Sequence, residues 1–216
     1  MAGAGAGNGG TCCRCLCGFL VSIGVAVLIY WATYQPHRIR AAVDFAELSN
    51  LTVVERNDGG GGGVVYYRLS INVTLHNPSG RVGVYYDAID ARLLLAGDGA
   101  SLGPANATSP EVFHQPRMST AVVTIEFDRS GGGGVGVAGD VAAELDKEIK
   151  GGGGGDGVVG FELALDARVR YKLGFVPIRA RPKVRCPMRI PVKAGRHRRS
   201  GVGGVLSSGN RCTVKY

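Results

Sequence analysis

The chain has 216 residues, 36 of them glycine and 9 proline, yet no Gly-X-Y period runs through it, which excludes collagen. Hydrophobic residues make up 45% and charged residues 19%, too apolar a balance for a wholly disordered chain, and the length suits one folded domain with something attached. The formal net charge of +8 is unevenly placed: residues 166–216 hold 10 arginines and 4 lysines against the single acid Asp166, so the rest of the chain is net acidic.

In chain order, residues 1–15 form a tail rich in Gly, Ala and Cys, read as cytoplasmic and unable to build a core. Cys12, Cys13, Cys15 and Cys17 crowd against the start of an uncharged run. They stand too close together to surround a tetrahedral zinc ion but suit reversible S-acylation beside a membrane; chance crowding of small residues into a helix end explains them equally well. From Leu16 to Tyr34 no side chain is charged, and 19 residues make a helix of about 28 Å, the hydrocarbon thickness of a bilayer. A buried core helix and a cleaved signal peptide are the competing readings, and the first would need apolar neighbours on every side in a chain whose remainder is strand-rich. The run is longer than a signal-peptide core, and Tyr30, Trp31 and Tyr34, rings suited to a membrane interface, stand where a small-x-small cleavage site would. The expectation is an uncleaved transmembrane helix at 16–35 followed by a folded domain at 36–216. Flanking charge leaves the orientation open, because Arg14 precedes the span while Arg38 and Arg40 follow it.

Beyond the span the hydrophobic pattern turns to period two. Tyr67, Leu69, Ile71, Val73 and Leu75 alternate with polar residues, the mark of a half-buried strand. Val84 and Tyr86 then change phase to Ile89, Ala91, Leu93 and Leu95, which predicts a β-bulge near Asp87 and Ala88. Met118 to Phe127 is a further strand, and the alternation from Phe161 to Leu173 is the longest. Between these two, Asp140 as N-cap, Val141, Leu145 and Ile149 spaced by four, and Gly151 as a stop predict one short helix. Three glycine runs, 59–63, 131–134 and 151–155, are followed by no Lys-Ser or Lys-Thr and read as flexible surface loops rather than phosphate cradles. Asn77, Pro78, Ser79 and Gly80 are strong turn residues between two alternating runs and predict a hairpin. Together the elements predict a mainly β fold, an immunoglobulin/fibronectin-like antiparallel β-sandwich of about 150–180 residues with one short helix.

Cys186 and Cys212 are the two cysteines outside the amino-terminal cluster, and on the oxidising side of a membrane they make a natural disulfide; buried free thiols are the alternative. Asn50, Asn72 and Asn106 each begin an N-x-T glycosylation acceptor, whereas Asn77 is blocked by Pro78. Both features favour an extracellular carboxyl-terminal domain. Arg168, Arg170 and Lys172 alternate at the end of the longest strand pattern, and Arg179, Arg181, Lys183 and Arg185 alternate after it, so one basic sheet face is expected. Such a face is either solvated and aggregation-resisting or a surface for anionic lipid headgroups or acidic cell-wall polysaccharide. Nucleic acid is not an expected partner of an extracellular domain. The four histidines, His37, His76, His114 and His197, are scattered, and neither G-x-S-x-G nor H-E-x-x-H occurs, so catalysis, a metal and a cofactor are not expected.

The segment Asn77 to Asp87, NPSGRVGVYYD, resembles the N-P-N-x-R-x-x-x-Y-Y-D signature of the plant NDR/HIN-like (NHL) proteins, which carry a late-embryogenesis-abundant group-2 domain. Its matching positions are Asn77, Pro78, Arg81, Tyr85, Tyr86 and Asp87, with Ser79 where the signature has its second asparagine. The cysteine cluster and anchor, Phe113–Thr120 (FHQPRMST), Arg185–Arg189 and Cys212–Tyr216 resemble the family in the same order. The resemblance implies a non-enzymatic, single-pass plasma-membrane protein, amino terminus cytoplasmic and β-sandwich external. It would act in defence against pathogens with protein partners in immune signalling; membrane protection during dehydration is the alternative. The turn chemistry itself suits a motif that fixes the fold rather than one that contacts a partner, with Tyr85 and Tyr86 on opposite faces.

Overall fold

The computed structural model describes residues 9–34, 38–55, 62–97, 99–150, 156–173, 176–193, 201–207 and 210–216. The chain divides into two compact units, residues 1–36 and 37–216. The first holds helix α1 (Gly9–Tyr34). Every residue from Cys17 to Tyr30 is exposed, and Phe19, Val21 and Leu28 each show about two-thirds of their surface (66%, 65% and 65%). Among the described residues no helix is long and apolar enough to cross a membrane. Several side chains of the expected span, those at 16, 31, 33 and 34, lie outside the described residues, as do those of Cys12, Cys13 and Cys15.

The second unit is built of β1 (Arg40–Glu55), β2 (Gly63–Asn77), β3 (Gly83–Leu95), β4 (Ser101–Pro104), β5 (Ala107–Ser109), β6 (Phe113–Gln115), β7 (Ser119–Asp128) and β8 (Val135–Val137), then α2 (Gly139–Lys150). There follow β9 (Asp156–Leu173), β10 (Val176–Ala180), β11 (Lys183–Lys193), β12 (Val202–Leu206), β13 (Asn210–Arg211) and β14 (Thr213–Lys215). The long strands form where period-two apolar residues have one face to bury: odd positions from Val65 to Leu75 in β2 and from Val159 to Tyr171 in β9 are all buried. In β3 the register shifts between Tyr86 and Ala88, the expected bulge, so that Val84 and Tyr86 before it and Ile89 to Leu95 after it face the same core. Helix α2 begins one residue before Asp140, whose carboxylate accepts from the Val141 amide, and it buries Val141, Ala142 and Leu145.

The pairing order is β4-β3-β9-β11-β12-β1-β2-β7-β5, all antiparallel. The two ends of this order are joined by the chain itself. Residues 101–109 leave β3 as β4 and reach β7 as β5, with Ala105 N donating to Ala91 O and Asn106 N to Glu126 O. The Tyr67 hydroxyl of β2 donates to Leu102 O of β4 at 2.8 Å across the interior. One core draws on both arms of this order, β4-β3-β9-β11 and β1-β2-β7-β5, with Leu93, Leu163 and Met188 in the same cluster as Ile71, Val73 and Phe127. Cys186 and Cys212 form a disulfide, Cα to Cα 4.3 Å. Near it, Ile39 N donates to the Tyr216 hydroxyl at 3.0 Å, and that hydroxyl lies 3.0 Å from the Tyr171 hydroxyl.

Two expectations are corrected. First, β2 and β3 do not pair: β2 lies between β1 and β7, while β3 lies between β9 and the short strands β4 and β6. The Asn77 turn is therefore an arch between the two arms and not a hairpin. Turn residues specify a local reversal, but which strand the chain then joins is set by contacts distant in sequence, here with residues 116–118. Second, the glycine runs are not all spare loop. Residues 59–61 and 151–155 lie outside the described residues, but Gly63 starts β2, where a Cβ would sit 2.5 Å from that of Ala142. Absence of a side chain there lets α2 pack on the strand.

Candidate functional site

The arch motif is organised around one buried side chain. Asn77, 1% exposed, donates from Nδ2 to Val82 O (2.9 Å) and Pro116 O (3.0 Å) and accepts from Ser79 N at Oδ1 (3.1 Å). Ser79, 6% exposed, accepts from Val82 N (3.1 Å) and Arg81 N (3.4 Å) at its hydroxyl, and its carbonyl accepts from Met118 N (3.0 Å). The Ser79 oxygen thus serves as the acceptor that closes this turn.

The same motif meets the Phe113–Thr120 segment. β6 runs antiparallel to β3, placing Val84, Tyr85 and Tyr86 opposite Gln115, His114 and Phe113. On the inner face the Tyr86 ring stacks on Phe113 (centroids 4.4 Å) and its hydroxyl donates to Gln115 Oε1 (3.1 Å). Buried Gln115 completes the joint by donating to Leu75 O (2.8 Å) and Ser119 O (2.9 Å), which ties β6 to β2 and β7. Burial pushes the Tyr86 hydroxyl well above the usual tyrosine range. On the outer face Tyr85 packs on His114 (4.2 Å), and the Arg170 guanidinium lies over Tyr85 while donating to Asp87 (2.6 Å). That hydrogen bond raises the already high pKa of Arg170. Tyr85 and Tyr86 do point to opposite faces, and Arg81 is exposed at the arch. The side chains of Asn77, Ser79, Tyr86 and Asp87 each make a hydrogen bond within the fold.

The basic residues lie exposed on β9, β10 and β11 or, for Arg181, on the link between the last two, but acids interleave with them. Arg168 pairs with Asp90 (3.3 Å), Arg170 with Asp87 and Arg185 with Glu162 (3.1 Å), and Lys183 lies opposite Asp166 in register. Counting charge along residues 166–216 overlooks β3, which pairs with β9 and brings Asp87 and Asp90 onto the same face. Lys172, Arg179 and Arg181 have no acidic partner among the described residues.

A more concave basic feature lies elsewhere. A hollow of about 700 Å³ opens beside the start of β1, lined among others by Arg38, Arg40, Thr74, His76 and Arg211. None of these was singled out by alternation, because they come from three separate strands and the segment before β1. Of the acceptor asparagines, Asn50 and Asn106 are exposed, the latter accepting from Asp128 N (2.9 Å). Asn72, between β1 and β7, is half-buried and accepts from the Thr124 hydroxyl (3.0 Å). Cys17 is exposed. Among the described residues no group of His, Cys, Asp and Glu is placed to hold a metal ion.

A family model for late embryogenesis abundant protein (LEA_2) matches residues 72–186, more than half of the chain. The chain belongs to the LEA_2 family. It is 27% identical over 197 residues to NDR1/HIN1-like protein 3 of Arabidopsis thaliana, covering 91% of this chain and 76% of that protein. It is 29% identical to NDR1/HIN1-like protein 10 of the same plant (87% and 79% covered), and 29% identical to NDR1/HIN1-like protein 2 (76% and 62% covered). The LEA_2 match runs from the middle of β2 to Cys186 in β11. It therefore contains the arch, its junction with β6 and the long strand β9, while β1, β12 to β14 and the hollow's Arg38, Arg40 and Arg211 lie outside it.

Proposed function

We propose that this LEA_2 protein is a non-enzymatic, single-pass plasma-membrane protein of the NDR1/HIN1-like type. Its Leu16–Tyr34 segment would lie in the bilayer, and its β unit, an immunoglobulin/fibronectin-like sandwich, would face the exterior and engage protein partners in defence against pathogens. One observation carries the reading: from Cys17 to Tyr30 an uncharged helix exposes its large apolar side chains on all sides. Water disfavours that surface by about 25 cal/mol for each Å², and lipid removes the penalty. The disulfide supports the external placement, since such bonds persist in oxidising compartments.

Protease treatment of intact cells tests the topology. Residues 38–216 are expected to be cleaved from outside, with glycosidase-sensitive mass at Asn50 and Asn106 ahead of half-buried Asn72 and a non-reducing peptide linking Cys186 to Cys212. A protected, cytosolic β unit would overturn the reading. For the role, loss of the protein is expected to increase pathogen growth; an effect on dehydration survival alone would replace defence by membrane protection.

A further inference from the structure

The hollow beside β1 has its origin in strand register. Arg40 of β1 lies opposite His76 of β2, and Ala42 is flanked by Thr74 of β2 on one side and Arg211 of β13 on the other. Directly opposed residues share a sheet face, with Cβ atoms about 5 Å apart. Ala42, the smallest of the group, therefore forms a floor between the longer Arg40, Arg211 and His76, and Arg38 also lines the hollow. The wall that carries Arg211 is fixed twice: Cys212 N donates to Ala41 O at 3.0 Å, and Cys212 is tied through the disulfide to β11.

Charge separates this place from the sheet face. The arginines at 168, 170 and 185 already hold carboxylates, whereas Arg38, Arg40 and Arg211 have no ion pair among the described residues. The acid closest in sequence, Asp44, accepts from the Thr74 hydroxyl. Against the one carboxylate held on Thr74, that of Asp44, three guanidiniums without an ion pair among the described residues leave the hollow net positive, and each presents a planar fork that matches phosphate oxygens. The volume is within the range of small-ligand sites, about 300–1,000 Å³.

We propose that the hollow over Ala42 is an anion site that takes the phosphate headgroup of a membrane lipid. A lipid source is favoured over a free anion because Arg38 follows the last residue of α1, Tyr34, by four positions, no more than about 14 Å of chain. That choice of source rests on the membrane reading above; the anion chemistry does not.

The test uses the full chain in neutral detergent micelles and four probes: short-chain phosphatidic acid, phosphatidylcholine of the same chain length, inorganic phosphate and polygalacturonate. Phosphatidic acid is expected to bind, roughly tenfold more weakly in Arg40→Gln or Arg211→Gln. It should bind unchanged in the sheet-face variant Arg179→Gln/Lys183→Gln. Ala42→Glu, which fills the floor with a carboxylate and keeps every arginine, is expected to abolish binding even if an arginine variant fails to fold. Loss in the sheet-face variant, full binding by Ala42→Glu, or preference for polygalacturonate would overturn the site, and inorganic phosphate binding as tightly as the lipid would overturn the lipid as occupant. A cytosolic β unit that still binds phosphatidic acid in this pattern would sink the topology and keep the site. The expected topology without binding would sink the site alone.

Discussion

Asn77 and Asp128 do opposite kinds of work for a single side chain. Asn77 is buried and neutral, and its amide satisfies two carbonyls and one backbone N–H that no strand partner reaches. Asn77→Ala leaves those groups buried without partners, and a loss of roughly 3 kcal/mol is expected in urea unfolding of the purified protein. Asp128 sits at the surface, where the Ser130 hydroxyl and amide, and then the Arg68 guanidinium, hold its carboxyl down at about 2. A depressed folded-state pKa gives stability that is present above the ordinary carboxylate value, near 4, and lost as pH falls through the folded value. The melting-temperature gap between wild type and Asp128→Asn is therefore expected to be constant above about pH 4 and to close toward pH 2; a gap that persists at pH 2 would refute the assignment.

At the scale of elements, four long strands are legible because burial on one face imposes period two, and β2, β3, β7 and β9 each follow it to within a few residues, whereas the long β1 escapes because its register shifts between Val43 and Phe45 and between Ser49 and Thr52 break the alternation. The bulge is legible for the same reason: a phase slip between Tyr86 and Ile89 has no other way to keep both halves on one core. Strands of two to five residues such as β5, β6 and β13 are too short to show a period, and Gly and Pro interrupt β4 and β12. Partner choice is not local either, which is why the Asn77 arch reads as a hairpin and why the acids of β3 escape a count of the basic face. The hollow was invisible for a related reason: its arginines flank an alanine only once three strands are in register. Close packing of α2 on β9 leaves a further element-scale mark. A Cβ on Gly157 would sit 2.1 Å from Glu148 O and 2.5 Å from Ile149 O, backbone atoms at the end of the helix that cannot swing aside. Gly157→Ala is expected to destabilise by about 1–3 kcal/mol, read as a lower urea midpoint with an unchanged slope.

For the whole β unit, the disulfide closes a separation of 26 residues and joins β11 to the segment that pairs with β1. Chain-entropy reasoning gives about 3 kcal/mol for a loop of this size. Cys186→Ser/Cys212→Ser is expected to lose that much, and wild type unfolded in reductant should match the variant; equal midpoints for wild type with and without reductant would contradict it. The contact between Ile39 and Tyr216, with Cys212 bonded to Ala41 close by, reaches beyond stability. The two ends of the β unit lie side by side, so the unit is shaped as a cassette. Its fold asks for no long connector to bridge from last strand to first, and a short joint across this seam would allow new ends to be opened at an exposed turn such as the one at Gly97.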